Sequence, residues 1–120
     1  DGFMVGSNDN TPNTLVIGTL GIDDQIIPDA FALHQNYPNP FNPTTSIEYD
    51  LTKSGSVNLA IYDLMGHRVR TLVFGNQKSG FKTVVWDATN DFGQAVSAGM
   101  YFYTLNTSEG SLTQKMLLIK

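Results

Sequence analysis

The chain has 120 residues and a mass of 13.2 kDa, with 41% hydrophobic and only 15% charged residues, the size and make-up of one small globular domain. Its net charge is −4 and its pI near 4.8, which argues against a nucleic-acid partner, because that needs a basic patch. There is no cysteine, so disulfides, thiolate metal sites and cysteine nucleophiles are excluded, and no apolar run approaches the roughly 18 residues of a membrane-spanning helix.

Charge is unevenly distributed: residues 1–52 carry acids and no Lys or Arg, whereas the excess of bases lies beyond Lys53. Residues 1–30 read as a linker or the end of a preceding region. Ser7 to Asn13 has turn composition, Gly21 to Pro28 is linker-like with apolar anchors, and the β-branched run at 14–19 is a candidate strand. The chain opens on Asp1 and not on Met, so it is expected to be a processed product or a fragment. A folded module is expected over residues 31–120.

From Ser46 to Leu51 apolar and polar residues alternate, the pattern of a half-buried strand. Lys53-Ser54-Gly55 supplies a turn, after which Val57, Leu59 and Ile61 share one face. Asp63 to His67 makes the next corner, with at most one helical turn. Arg68 to Val73 follows as a strand, and Gly75-Asn76-Gln77 is expected to turn the chain. Val84 and Trp86 then face one way in the strand beginning at Phe81. Asn90-Asp91-Phe92-Gly93 is a loop, Gly99 opens the strand to Leu105, and Ser108 to Ser111 is the last hairpin turn before Leu112 to Ile119. Six or seven short strands at 8–12-residue spacing, without helical periodicity, predict an all-β, immunoglobulin-like antiparallel β-sandwich with an extended N-terminal segment.

Catalytic chemistry is scarce. The two histidines, His34 and His67, have no nucleophile or metal spacing around them and read as surface or strand-end residues. Asp23-Asp24 reads as solvated linker charge, and no nucleophile-elbow, phosphate-loop or dinucleotide motif is present. No enzyme activity, metal or cofactor is expected. The weak calcium candidates are Asp87, Asn90 and Asp91, whose oxygens suit a hard cation. Their spacing is not that of an EF-hand, and Asx-rich loops commonly satisfy their own backbone. Asn106-Thr107-Ser108 is a formal glycosylation sequon that also suits an ordinary strand end. Tyr101, Phe102, Tyr103 and Trp86 could suggest a carbohydrate platform, but alternation sets Tyr101 and Tyr103 opposite Phe102, so that one face belongs to the core.

The strongest signal is Asn36-Tyr37-Pro38-Asn39-Pro40-Phe41-Asn42-Pro43. Three prolines fix φ and hold the preceding residues extended, and asparagine side chains can satisfy backbone groups that no ladder reaches. This is a stiff entry segment, with Tyr37 and Phe41 as expected anchors on the sandwich edge. The missing proline donors also blunt that edge against unwanted pairing.

The stretch from Phe31 to Thr45 closely resembles the start of the type A C-terminal sorting domain of type IX secretion cargo. Val57 to Val69, with Tyr62, Asp63 and Gly66, is similar to that family's second strand and following turn. Trp86-Asp87 and the loop to Gln94 resemble a segment shared with the Ig-like part of the flagellar hook-capping protein. Ala98-Gly99-Met100-Tyr101-Phe102-Tyr103 and the terminal Gln114-Lys115-Met116-Leu117-Leu118-Ile119-Lys120 complete the ordered set. His67 and Ala98 stand where Arg or Lys and Ser are commoner.

The resemblance implies a non-catalytic address on a protein that is secreted or held on the outer surface of a Gram-negative bacterium. Its implied partners are the type IX translocon and a sortase-like peptidase. Recognition would lie on Asn36 to Pro43 and on Lys115 to Lys120, the latter as a terminal strand with unpaired backbone groups. The alternative is an Ig-like structural subunit of a surface assembly or filament. There the partners are neighbouring subunits or a host complex, with the strand at 14–19 docked on a neighbour.

Overall fold

The computed structural model describes residues 27–120. The candidate strand at 14–19 and the linker before it lie outside the described residues. Seven strands form two sheets: β1 (Ala32–Leu33), β2 (Thr45–Leu51) and β5 (Gly80–Trp86) in the order β1-β2-β5, and β4 (Arg68–Gln77), β3 (Gly55–Tyr62), β6 (Gly99–Thr107) and β7 (Gly110–Leu118) in the order β4-β3-β6-β7. Every strand pairing is antiparallel, and none of the described residues is helical. This is the sandwich that the alternating sequence predicts.

Alternation decides which side chains are buried. On β2, Ile47, Tyr49 and Leu51 are buried while Glu48 is exposed; on β3, Val57, Leu59 and Ile61 point inward; on β6, Tyr101, Tyr103 and Leu105 do so. With Trp86, Met116 and Leu118 they form one core between the sheets. It holds an aromatic cluster in which Trp86 meets Phe41, tilted, at 5.7 Å and Tyr101, edge-on, at 5.4 Å between ring centroids. The carbohydrate-platform residues Trp86, Tyr101 and Tyr103 are therefore core, and only Phe102 lies on the outer face.

One expectation about a turn needs correction. Gly75, Asn76 and Gln77 do not turn the chain; they continue β4, paired with Val57, Ser56 and Gly55, and the reversal comes at Lys78-Ser79. The ladder to β3 holds the glycine in the strand, and the Tyr49 hydroxyl donates to Gln77 Oε1 at 2.6 Å and fastens its end. Asp63 to His67 makes the expected corner, and it contains no helical turn. Asp63 Oδ1 accepts the amides of Met65 and His67, both at 2.9 Å, the Asp63 amide donates to the His67 carbonyl, and Gly66 takes φ +84°. A side-chain acceptor that captures two local amides competes directly with helical bonding.

The strand directions give the sandwich two unlike ends. The chain enters β1 beside Asp50, at the end that holds the turns at 52–54, 78–79 and 108–109. The opposite end gathers Phe41, the Asp63–His67 turn, the loop after Trp86, the start of β6 at Gly99 and the close of β7 at Leu118.

Candidate recognition surface

The Pro-rich segment descends along the sandwich from the entry end to the opposite end and is fastened at each step. The His34 amide donates to the Glu48 carbonyl, and Tyr37 exchanges both backbone bonds with Ser46 at 2.9 Å. Asn36 is buried, and its amide and side chain are all engaged. Its amide donates to the Tyr103 hydroxyl at 2.8 Å, and its Nδ2 donates to the Pro38 carbonyl and to Thr45 Oγ1. The hydroxyl of buried Thr45 donates in turn to the same Pro38 carbonyl at 2.8 Å. With Pro supplying no amide, side chains take over the satisfaction of this stretch. The Tyr37–Pro38, Asn39–Pro40 and Asn42–Pro43 peptide bonds are cis.

The segment then meets the last strand. Phe41 and Leu118 form a parallel bridge, with the Phe41 amide donating to the Leu117 carbonyl at 3.0 Å and the Ile119 amide donating to the Phe41 carbonyl at 2.9 Å. Asn39 Oδ1 accepts the Leu117 amide at 3.0 Å, and Gln35 Nε2 donates to the Lys115 carbonyl at 2.7 Å. The two stretches singled out by sequence, Asn36 to Pro43 and Lys115 to Lys120, thus form one seam.

This seam corrects two expectations. The edge of β7 from Lys115 to Ile119 does not offer a row of unpaired groups, because the Pro-rich segment already takes the Lys115 carbonyl, both groups of Leu117 and the Ile119 amide. And only Phe41 anchors: its ring is buried against Trp86, whereas Tyr37 is 81% exposed. Tyr37 sits at a backbone bridge whose side chain points away from the core, a matter of strand parity that composition does not reveal. Met116 and Leu118 are buried core, so the seam's outward side chains are Tyr37, Pro38, Asn39, Pro40, Asn42, Pro43, Lys115, Ile119 and Lys120, with Leu117 half-buried.

The remaining signature residues build the same end. Tyr62 closes β3 opposite Arg68 and Phe102, and Gly99 opens β6 opposite Leu118 with φ +148°. The Tyr101 hydroxyl donates to the Ser97 carbonyl at 2.6 Å, and Trp86 Nε1 donates to the Thr89 carbonyl at 2.9 Å. Burial pushes the Tyr103 hydroxyl up to about 12; it accepts from Asn36 and donates to the His34 carbonyl at 2.7 Å. Hydrogen bonding to the His67 amide holds the Asp63 carboxyl below its ordinary value, and the Thr89 hydroxyl does the same for Asp87.

Sequence reasoning did not foresee that the loops at Asp63 and Asn90 are built alike. Asn90 Oδ1 accepts the amides of Phe92 and Gln94, the Asn90 amide donates to the Gln94 carbonyl, and Gly93 takes φ +78°, repeating the Asp63 turn residue for residue. The shared Asx-x-x-Gly spacing in Asp63-Leu64-Met65-Gly66 and Asn90-Asp91-Phe92-Gly93 was the available signal.

The calcium candidates are engaged by protein donors. Asp87 Oδ1 accepts from Thr89 and lies 3.8 Å from Arg70; Asp91 Oδ1 accepts the Thr71 amide while Oδ2 lies 3.6 Å from Arg68. Among the described residues no cluster of three or more His, Cys, Asp or Glu is arranged to hold a metal ion. His34 follows β1 and reaches Asp50 at 2.8 Å; His67 is exposed beside Asp63.

No curated protein matches the chain. Among solved structures, the chain is similar to dimeric latent PorU from Porphyromonas gingivalis (TM-score 0.59, 21% identity, covering 79% of this chain and 10% of that one). It is also similar to PorZ of the same organism, described as an essential bacterial surface component of the type-IX secretion system (TM-score 0.50, 20% identity, covering 77% and 12%). A third likeness is to FlgD from Pseudomonas aeruginosa (TM-score 0.49, 23% identity, covering 66% and 67%). The chain therefore spans only about a tenth of the PorU and PorZ chains it resembles. The model of the FlgD Ig-like domain matches residues 41–111, more than half of the sequence, and the chain belongs to that family.

Proposed function

We propose that residues 31–120 act as a non-catalytic C-terminal sorting module, recognised folded by the type IX translocon and carrying its protein to the outer cell surface. The observation that carries this reading is the seam between the Pro-rich segment and the last strand. Residues far apart in sequence, each picked out by its resemblance to sorting-domain motifs, share one continuous surface at the end opposite the point of chain entry. Most of that seam, Asn36 to Pro40 and Lys115 to Lys120, lies outside the stretch matched to the FlgD Ig-like family. PorZ, a surface component of the type-IX secretion system, carries a domain of similar fold, which also favours this reading.

Because the edge of β7 is occupied, recognition falls to outward side chains and not to backbone pairing. Removing Lys115 to Lys120 would also remove Met116 and Leu118 from the core, so deletion cannot separate recognition from folding. The better test fuses the full chain to a reporter in a bacterium bearing a type IX system and changes Tyr37→Ala with Lys115→Glu and Lys120→Glu. All three positions are exposed, so the melting temperature should hold while the reporter accumulates in the periplasm. Undiminished export of a folded triple variant would sink the proposal.

A further inference from the structure

Among the described residues the sandwich has four sheet edges, and three are guarded along at least part of their length. β1 has two residues only. β7 is covered from Lys115 to Ile119 by the Pro-rich segment. β4 is broken by two register shifts against β3, and Asp91 clasps it through the Val69 carbonyl and the Thr71 amide. Short length, coverage and bulging are the ordinary devices that keep a sheet edge from pairing with another chain.

β5 has none of these. Gly80 to Trp86 pairs with β2 in one unbroken register and contains no proline. On β2, Ser46 and Glu48 direct their backbone groups toward Tyr37 and His34, so Thr45, Ile47, Tyr49 and Leu51 serve β5. Their partners Trp86, Val84, Lys82 and Gly80 are thereby used. Phe81, Thr83 and Val85 direct their amides and carbonyls outward, and no described residue bonds to them. The same three side chains lie on the outer face, with Phe81 64% and Val85 53% exposed.

We propose that β5 is a homodimerisation edge, on which a second copy of this chain pairs its own β5 antiparallel about Thr83. The strand is self-complementary in that register. Thr83 faces the partner's Thr83, and Phe81 faces the partner's Val85; threonine pairs and aromatic–β-branched pairs are both favourable across antiparallel strands. Lys82, the one charge on the strand, faces the partner's Val84. Every outward amide and carbonyl of Phe81, Thr83 and Val85 finds a mate. Centring the pair on Lys82 instead would set two lysines opposite each other and leave Val85 unpaired. The contact is isologous, so it closes as a dimer and does not propagate into a fibre. It is independent of the sorting proposal, since it involves no residue of the seam.

Sedimentation velocity on the full chain, from low micromolar to near-millimolar concentration, provides the test. The wild type should show reversible dimerisation. Thr83→Lys, an exposed change that places like charges directly opposite, should weaken it at least about tenfold without lowering the melting temperature. Phe74→Ser, which removes an exposed aromatic from β4, should leave it unchanged. The register is read separately: facing hydrogen-bonded residues lie about 5.5 Å apart, so the Thr83→Cys variant, with the only thiol in the chain, should cross-link through a short bismaleimide. The Phe81→Cys variant should not. A monomer at every concentration, whether the edge stays bare or another strand of the chain fills it, overturns the proposal. So does dimerisation indifferent to Thr83→Lys, or cross-linking of the Phe81→Cys variant as readily as that of Thr83→Cys.

Discussion

The Asn36 amide donates to the Tyr103 hydroxyl at 2.8 Å, joining residues 67 apart in sequence, and the same hydroxyl donates to the His34 carbonyl. One phenol on a central strand therefore satisfies two backbone groups where the Pro-rich segment crosses from one sheet toward the other. Tyr103→Phe keeps the ring and leaves the buried Asn36 amide unpaired, so it should cost about 1–3 kcal/mol. Chemical denaturation followed by the single tryptophan, Trp86, measures this. Hydrogen exchange at the Asn36 amide should accelerate in the same variant.

Tyr103 also predicts an alkaline limit. Its hydroxyl is pushed from 10.0 up to about 12, chiefly by burial, and burial raises Tyr49 and Tyr101 in the same direction. The folded state thus keeps a proton that the unfolded chain gives up. The associated stability is complete below pH 10.0 and is lost as pH climbs toward 12. For Tyr103 alone it amounts to about 2 kcal/mol after allowance for solvent screening. Melting temperatures measured from pH 8 upward should fall above roughly pH 10, and fall less in Tyr103→Phe.

At acid pH the direction reverses. The Asp63 and Asp87 carboxyls lie below 3.8, held mainly by the His67 amide and by the Thr89 hydroxyl respectively. Stability from each is present above 3.8 and is lost as pH falls through the lowered value. Asp63→Asn keeps an acceptor for Met65 and His67 and removes the titration, so its acid unfolding midpoint should shift to lower pH than that of the wild type. An unchanged midpoint would show that the turn does not govern acid stability.

The seam separates packing from hydrogen bonding. Phe41→Ala empties a buried site against Trp86 and should cost about 3–5 kcal/mol. Asn39→Ala removes one acceptor from the Leu117 amide and should cost about 1 kcal/mol. Hydrogen exchange tells them apart: Asn39→Ala should expose Leu117 and leave Ile119, which bonds the Phe41 carbonyl, protected.

Asp91 has two roles on β4 that substitution can divide. Asp91→Asn retains an acceptor for the Thr71 amide and loses the partly exposed ion pair with Arg68, so stability should change by less than about 0.5 kcal/mol. Asp91→Ala frees the Thr71 amide as well and should cost about 1 kcal/mol more. Urea midpoints of the two variants give the comparison.

Alternation along β2, β3 and β6 was enough to set Ile47 with Tyr49, Leu59 with Ile61 and Tyr101 with Tyr103 on common faces and to name an all-β sandwich, because side-chain parity in a strand is a local property. Which face of β6 enters the core was settled only by the closed sandwich. Proline and asparagine spacing likewise marked Asn36 to Pro43 as a stiff segment. Local chemistry could not say what that segment touches. That Phe41 enters the core while Tyr37 faces water, that Asn39 and Gln35 close the edge of β7, and that β4 continues through Gly75 depend on which strands neighbour one another. Such contacts join residues up to 81 positions apart, as between Gln114 and the Leu33 carbonyl, and arise only when two sheets close over a common interior. The same holds for β5: its sequence reads as any buried-face strand, and only the order of strands in the sheet leaves its outer edge open.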